Sequence, residues 1–169
     1  IVLMYNDMIF VRNRVQRAWS NIGVSLKKRA NLIPNLVKIA KESLKHEKEL
    51  HTELSKLRKS ARSAADFDPA AAGLFISQEV AVMQKFFGLE EKYPDLKGSQ
   101  MMAQLHKKLV LLENEVALMR SGYNDSVERH NTRIAQIPEL FLAKFFEFEH
   151  AELFHAEIEV VENIQRPAN

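Results

Sequence analysis

Two glutamate–histidine strings near the end of this 169-residue chain, Glu147-Phe148-Glu149-His150 and Glu152-Leu153-Phe154-His155, carry the Glu-x-x-His spacing of carboxylate-bridged di-metal centres. Such a centre takes one string from each of two facing helices and a further glutamate from each of two others. Here both strings fall on one terminal segment, so the reading is an acidic, partly exposed helix with incidental histidines. A second string, His46-Glu47-Lys48-Glu49-Leu50-His51, comes close to the H-E-x-x-H zinc motif. Its second histidine comes five residues after the first instead of four, which turns the two imidazoles roughly 140° apart on a helix. The chain has no cysteine, hence no thiolate metal site, disulfide or cysteine nucleophile. Its 5 glycines are scattered singly, and no phosphate loop, dinucleotide fingerprint or G-x-S-x-G elbow is formed. The expectation is a non-enzyme with no catalytic residue, no metal and no cofactor.

Polar residues at heptad spacing carry a different message. Asn6, Asn13 and Ser20 recur every seven residues, as do Asn124 and Asn131, so each set holds one helix face. These are polar interface positions that fix register by bonding one another or backbone groups, with a recessed ligand or partner site as the alternative. His130 falls on an apolar seam and reads as a hydrogen-bonded core histidine. Trp19 anchors helix packing, or else sits at a bilayer interface, where tryptophan is favoured.

Charge is distributed unevenly behind a net +2. Residues 1–62 carry 14 Lys+Arg against 5 Asp+Glu, and residues 139–169 carry 2 against 7. The basic end is either a solvated helix face or an interaction or membrane surface made by Arg12, Arg14, Arg17, Lys27, Lys28 and Arg29. Nucleic acid is not expected as a partner, because no aromatic side chains interleave with these cations for base stacking.

Positioning these residues requires long helices. Met4, Met8, Val11, Val15, Ala18, Ile22 and Leu26 recur at steps of three and four; the pattern resumes with Ala30, Ile33, Val37, Ala40 and Leu44, then Leu50, Leu54, Leu57 and Ala61. One seam of nearly sixty residues follows, and a helix of that length is about 87 Å long. Pro34 falls inside it, where its ring crowds the carbonyl of Ala30. The surviving register favours a kinked continuous helix over a break capped by Asn31. The stretch 63–72, with Asp66-Phe67-Asp68-Pro69, reads as the first turn. A second helix follows from about Ala70 to Lys92 and closes at Tyr93-Pro94. A third runs from Met102 until Pro138 stops it, and a fourth extends from Glu139 to about Ile164. The fold expected is all-α, an antiparallel up-and-down four-helix bundle with two very long helices, the first kinked near Pro34. Residues 1–150 form the helical-bundle domain, and residues 151–169 an acidic C-terminal helix end and tail.

The strings Ala18-Trp19-Ser20, Leu26-Lys27-Lys28-Arg29, Leu32-Ile33-Pro34-Asn35-Leu36-Val37, Tyr93-Pro94-Asp95-Leu96-Lys97, Leu112-Glu113-Asn114 and Tyr123-Asn124 through Asn131-Thr132 closely resemble the bacterial LemA family in order and spacing. The resemblance covers about Tyr5 to Leu142. It departs at Ala143–His150, which lacks the glycine and short ending of the family pattern. The resemblance implies one N-terminal transmembrane helix followed by a helical domain, with roles at specialised membranes such as the magnetosome. Ile1 in first position and the apolar Ile1-Val2-Leu3-Met4 accord with a preceding span that is absent from this chain. Arg12, Arg14 and Arg17 would then place the domain on the cytoplasmic side. The function expected is a membrane-tethered helical scaffold or protein-interaction domain whose protein partner the sequence does not name. The alternatives are a rod that binds an anionic membrane surface and, third, a metal-binding bundle enzyme.

Overall fold

The computed structural model describes residues 1–63 and 68–155, and every regular element among them is a helix: α1 (Val2–Ala30), α2 (Ile33–Ser43), α3 (Lys48–Ala61), α4 (Pro69–Gly88), α5 (Pro94–Lys97), α6 (Gln100–Ala135) and α7 (Glu139–Phe145). Two long helices dominate. Met8, Val15, Ile22 and Leu26 form the buried stripe of α1, and Leu105, Leu109, Leu112, Val116, Tyr123, Val127 and Ile134 that of α6. These stripes meet antiparallel. Asp7 pairs with Arg133 at 2.8 Å, Trp19 lies on Tyr123 with ring centroids 5.1 Å apart, and Lys28 pairs with Glu115 at 2.8 Å. At the usual rise the two helices are about 44 and 54 Å long.

The first rod is not one helix. Asn31 and Leu32 form a turn between α1 and α2, and Pro34 sits in the first turn of α2, where its missing N–H leaves no donor unsatisfied. Both turn residues keep right-handed helical dihedrals, so the apolar stripe passes across the interruption to Ile33, Leu36 and Ile39. The expected kink near Pro34 is thus a two-residue break. The residue preceding α2 is Leu32 and not Asn31, and it makes no side-chain capping bond. A second break, at Leu44–Glu47, was not expected. Leu44 leaves the helical region at φ −122°, ψ 39°, and the His51 ring bonds the freed Leu44 carbonyl at 3.0 Å. The turn leaves His46 outside any helix. The six-residue gap between Leu44 and Leu50 in the seam is the trace of that turn in the sequence.

After this reversal α3 packs antiparallel to α4. Lys85 bridges Glu49 (2.8 Å) and Glu53, and Ser60 donates to Gln78 at 3.3 Å. Asp68 caps α4 by accepting from the Ala71 N–H at 2.7 Å, followed by Pro69 in the first turn. Asp66 and Phe67 lie outside the described residues.

The fourth helix is far shorter than expected. α7 ends at Phe145, and the Phe148 N–H reaches back to the Ala143 carbonyl at 2.9 Å around Glu147, whose φ is 53°. This is the six-to-one closure of a left-handed helix terminus. Residues 146–155 then run without helix as a strap along α6, and the expected continuation to Ile164 lies beyond the described residues. The 151–155 stretch is therefore not a helix end, and its Phe154 belongs to the main core. A smaller cluster of Met8, Ile134 and Ala143, backed by Leu142 and Phe148, seats α7 against the start of α1. No described helix is long and apolar enough to cross a membrane.

Candidate functional site

The strap occupies a groove whose floor is α6, with α1 and α4 on its flanks. Asn131 clamps the backbone of Ala151: its Nδ2 donates to the Ala151 carbonyl, and its Oδ1 accepts the Ala151 N–H, each at 2.9 Å. Asn124 clamps Phe154 in the same manner, at 3.1 and 2.8 Å. Seven residues of helix span about 10.5 Å and three residues of extended chain about 10 Å, so two asparagines one heptad apart match two backbone positions three residues apart. Between the clamped residues the Tyr123 hydroxyl donates to the Glu152 carbonyl at 2.8 Å, and ahead of them His130 Nε2 donates to the Glu149 carbonyl at 3.0 Å. Burial raises the Tyr123 hydroxyl above its ordinary value, with the nearby Glu152 charge adding to it, so it stays a donor at neutral pH. Phe154 is fully buried, edge-on to Trp19 at 5.6 Å.

Gly73 of α4 completes this wall. A Cβ at that position would meet the His155 carbonyl oxygen at 2.6 Å, a backbone atom that cannot rotate away. Gly73→Ala should gain about 1 kcal/mol of helix propensity yet lose more than that through the displaced strap. Urea unfolding should therefore show a net loss of about 1 kcal/mol or more; a net gain would mean that the strap moves freely.

A second cluster lies deeper, where α1, α4 and α6 meet. Arg29 Nε contacts Glu79 at 2.5 Å and Arg29 Nη2 contacts Glu113 at 3.2 Å, with all three side chains buried. Ser25 Oγ, Arg29 Nη1 and one oxygen of each glutamate have no hydrogen-bond partner among the described residues. Burial pushes the Glu79 carboxyl up, against the pull of Arg29. Burial also opposes the Arg29 charge, but Glu79 and Glu113 outweigh it and hold the guanidinium above its ordinary value. Because the folded value of Glu79 lies above its unfolded value near 4.5, its contribution to stability is full below that pH and is lost as pH rises through the raised value. Stability measured by urea unfolding across a pH series should thus fall for the native chain relative to Glu79→Gln as pH rises above about 4.5. Parallel curves would contradict this.

The sequence model of the LemA family matches residues 18–166. The chain belongs to the LemA family. The match runs through the strap, so the family likeness continues past Leu142. Among its relatives, the magnetosome protein MamQ of Magnetospirillum gryphiswaldense is 22% identical over 179 residues, covering 92% of this chain and 66% of that protein. The magnetosome protein MamQ 2 of Paramagnetospirillum magneticum is 22% identical over 178 residues, covering 91% and 65%. The chain spans just under two thirds of the length of these relatives.

Within this LemA domain the polar heptads divide. Asn124 and Asn131 are half-buried and hold the strap, whereas Asn6, Asn13 and Ser20 are exposed, a correction to their reading as interface positions. They lie two residues ahead of Met8, Val15 and Ile22, about 200° around the helix from that buried stripe. Of the basic residues, Arg12, Arg14, Arg17, Lys27 and Lys28 are exposed, with Arg12 stacked over Phe148 at 5.2 Å. Arg29 is not a surface residue, because two buried glutamates hold it in the core. The Glu-x-x-His strings lose their helical premise: on a non-helical strap their side chains do not share a face, and His150 and His155 are exposed. Among the described residues no three carboxylate or imidazole groups converge to hold a metal ion. Sequence reasoning missed Glu79 and Glu113. Each occupies an apolar-stripe position, Glu79 between Ile76 and Met83 and Glu113 between Leu109 and Val116, with charge opposite to that of Arg29.

Proposed function

We propose that this LemA-family domain is a non-enzymatic, membrane-tethered helical scaffold: an up-and-down bundle of four rods, α1–α2, α3, α4 and α6, that presents a rigid face to a protein partner. The observation that carries this reading is the outward side of α6. Leu111 and Leu118 are 60% and 77% exposed and stand one heptad apart, so they lie one above the other about 10.5 Å apart. The opposite side of the same helix is fixed by α1. Paired exposed leucines on a stiff helix suit recognition by a partner's apolar groove or helix. The tether rests on the apolar, exposed Ile1, Val2 and Leu3 at the start of α1, on Arg12, Arg14 and Arg17 as cytoplasmic-side determinants, and on relatives named magnetosome proteins.

A second reading, adhesion to an anionic membrane surface, is favoured by one observation. Arg14, Arg17 and Lys28 fall within about 60° of each other around α1 and are exposed. Arg12 and Lys27 fall on the other flank, and Lys28 is engaged by Glu115. The scaffold reading is the better supported of the two.

Crosslinking of the full-length protein in native membranes separates them. Leu111→Ser with Leu118→Ser should reduce recovery of the crosslinked partner about tenfold while leaving folding within about 0.5 kcal/mol. If recovery is unchanged, and binding to anionic vesicles is salt-sensitive and abolished by Arg14→Gln, Arg17→Gln and Lys28→Gln together, the second reading replaces the first.

A further inference from the structure

The geometry points to the strap groove as an interface between copies of this chain, in which residues 148–155 of one molecule occupy the groove of a second and the second returns the same segment. This goes beyond the scaffold reading and holds whatever partner α6 receives. The groove reads its occupant through features that any copy supplies. Asn131 and Asn124 contact only backbone atoms of Ala151 and Phe154, and His130 and Tyr123 contact only carbonyls. Two strap side chains are read as well: the Phe154 ring, which enters beside Trp19, and the Phe148 ring, which lies under Arg12 and edge-on to Tyr5. Every one of these contacts can be made equally by a strap arriving from another molecule.

What distinguishes the closed from the exchanged form is the hinge. Closing the strap onto its own groove requires Glu147 to take φ 53°, the left-handed terminus that glycine favours and a glutamate opposes. Glu147 is the one described non-glycine residue with positive φ. Opening at this position releases that strain and gives up the Phe148 N–H bond to the Ala143 carbonyl, while the groove contacts return once a second copy fills the groove, the condition under which exchange of an identical element is a low-cost route to a dimer. Mutual exchange is self-complementary, so the pair closes on itself as a twofold dimer.

The native chain contains no cysteine, so engineered ones report unambiguously. Full-length chains carrying Asn131→Cys are mixed with chains carrying Ala151→Cys, held at high concentration and oxidised; a single chain with both changes serves as the geometric control. Disulfide-linked heterodimer is expected, with a yield that rises with concentration and falls several-fold when both chains also carry Glu147→Gly, which relieves the closed hinge. An internal disulfide in the control with no heterodimer at any concentration would overturn the proposal, as would a heterodimer yield indifferent to Glu147→Gly. Sedimentation equilibrium of the cysteine-free chain gives the second reading, independent of whether the control crosslinks. A dimer that Glu147→Gly shifts toward monomer supports exchange. A monomer throughout, or a dimer unaffected by Glu147→Gly, refutes it.

Discussion

Replacing Arg29 by methionine is expected to cost about 3–5 kcal/mol of stability at neutral pH. The guanidinium is the counter-charge for two carboxylates that are themselves removed from water, Glu79 and Glu113. Without it both face an apolar core uncompensated, and Glu79, already pushed up by burial, escapes the cost only by taking up a proton. The defect should therefore shrink on acidification: without the pull of Arg29 the Glu79 carboxyl rises further above its ordinary value, and the stability lost at pH 7 returns as the pH falls toward about 4.5. Lys28→Gln, one residue away but exposed, should cost no more than about 1 kcal/mol. Replacing all three buried charges together, with Arg29→Met, Glu79→Met and Glu113→Leu, should recover most of the loss, since a buried ion cluster contributes little net stability over well-packed apolar side chains. Chemical unfolding of the variants at pH 5 and pH 7 tests each statement. A loss below about 1 kcal/mol for Arg29→Met would mean that water reaches the cluster.

Phe154→Ala should rank beside it, at about 3–5 kcal/mol. The ring is 0% exposed and belongs to the main core although its residue lies in the non-helical strap. Truncation leaves a cavity beside Trp19 and also weakens the clamps, because an extended segment without its anchor must be held by backbone bonds alone. Limited digestion with a glutamate-specific protease should then cut after Glu149 or Glu152 far faster than in the native chain, alongside the loss in urea unfolding. Equal digestion rates would show that Asn124 and Asn131 suffice to hold the strap.

Those two predictions concern the features least legible in the sequence, for different reasons. The helical class, the extent of α6 and the start of α4 follow from apolar periodicity and turn chemistry, which are local. Arg29 hid inside a basic triplet, yet it stands seven residues after Ile22 on the stripe that also holds Met8 and Val15. A charge on such a stripe, matched by opposite charges on two other stripes, was a readable signal. The strap was not readable. Its phenylalanines and glutamates have acceptable helical spacing, and what overrides that spacing is non-local: Asn124 and Asn131 offer the backbone of Ala151 and Phe154 the hydrogen bonds that a helix would otherwise supply. The heptad of asparagines announced an interface, with backbone groups among the partners it offered, without revealing that this backbone belonged to a non-helical strap. On α1 the same spacing falls on Asn6, Asn13 and Ser20, which are exposed and take no part in the packing of the bundle.

The antiparallel seating of α1 on α6 has a consequence for synthesis. Asp7 meets Arg133, Trp19 meets Tyr123 and Lys28 meets Glu115, so α1 leaves the ribosome on the order of 100 residues before its main partner does. At about 5–20 residues per second that is roughly 5–20 seconds with the Met8–Leu26 stripe uncovered. Phe154 comes later still. Although all its described elements are helical, this chain carries the non-local contact pattern that slows folding, and the apolar stripe of α1 is made long before it becomes half of a core.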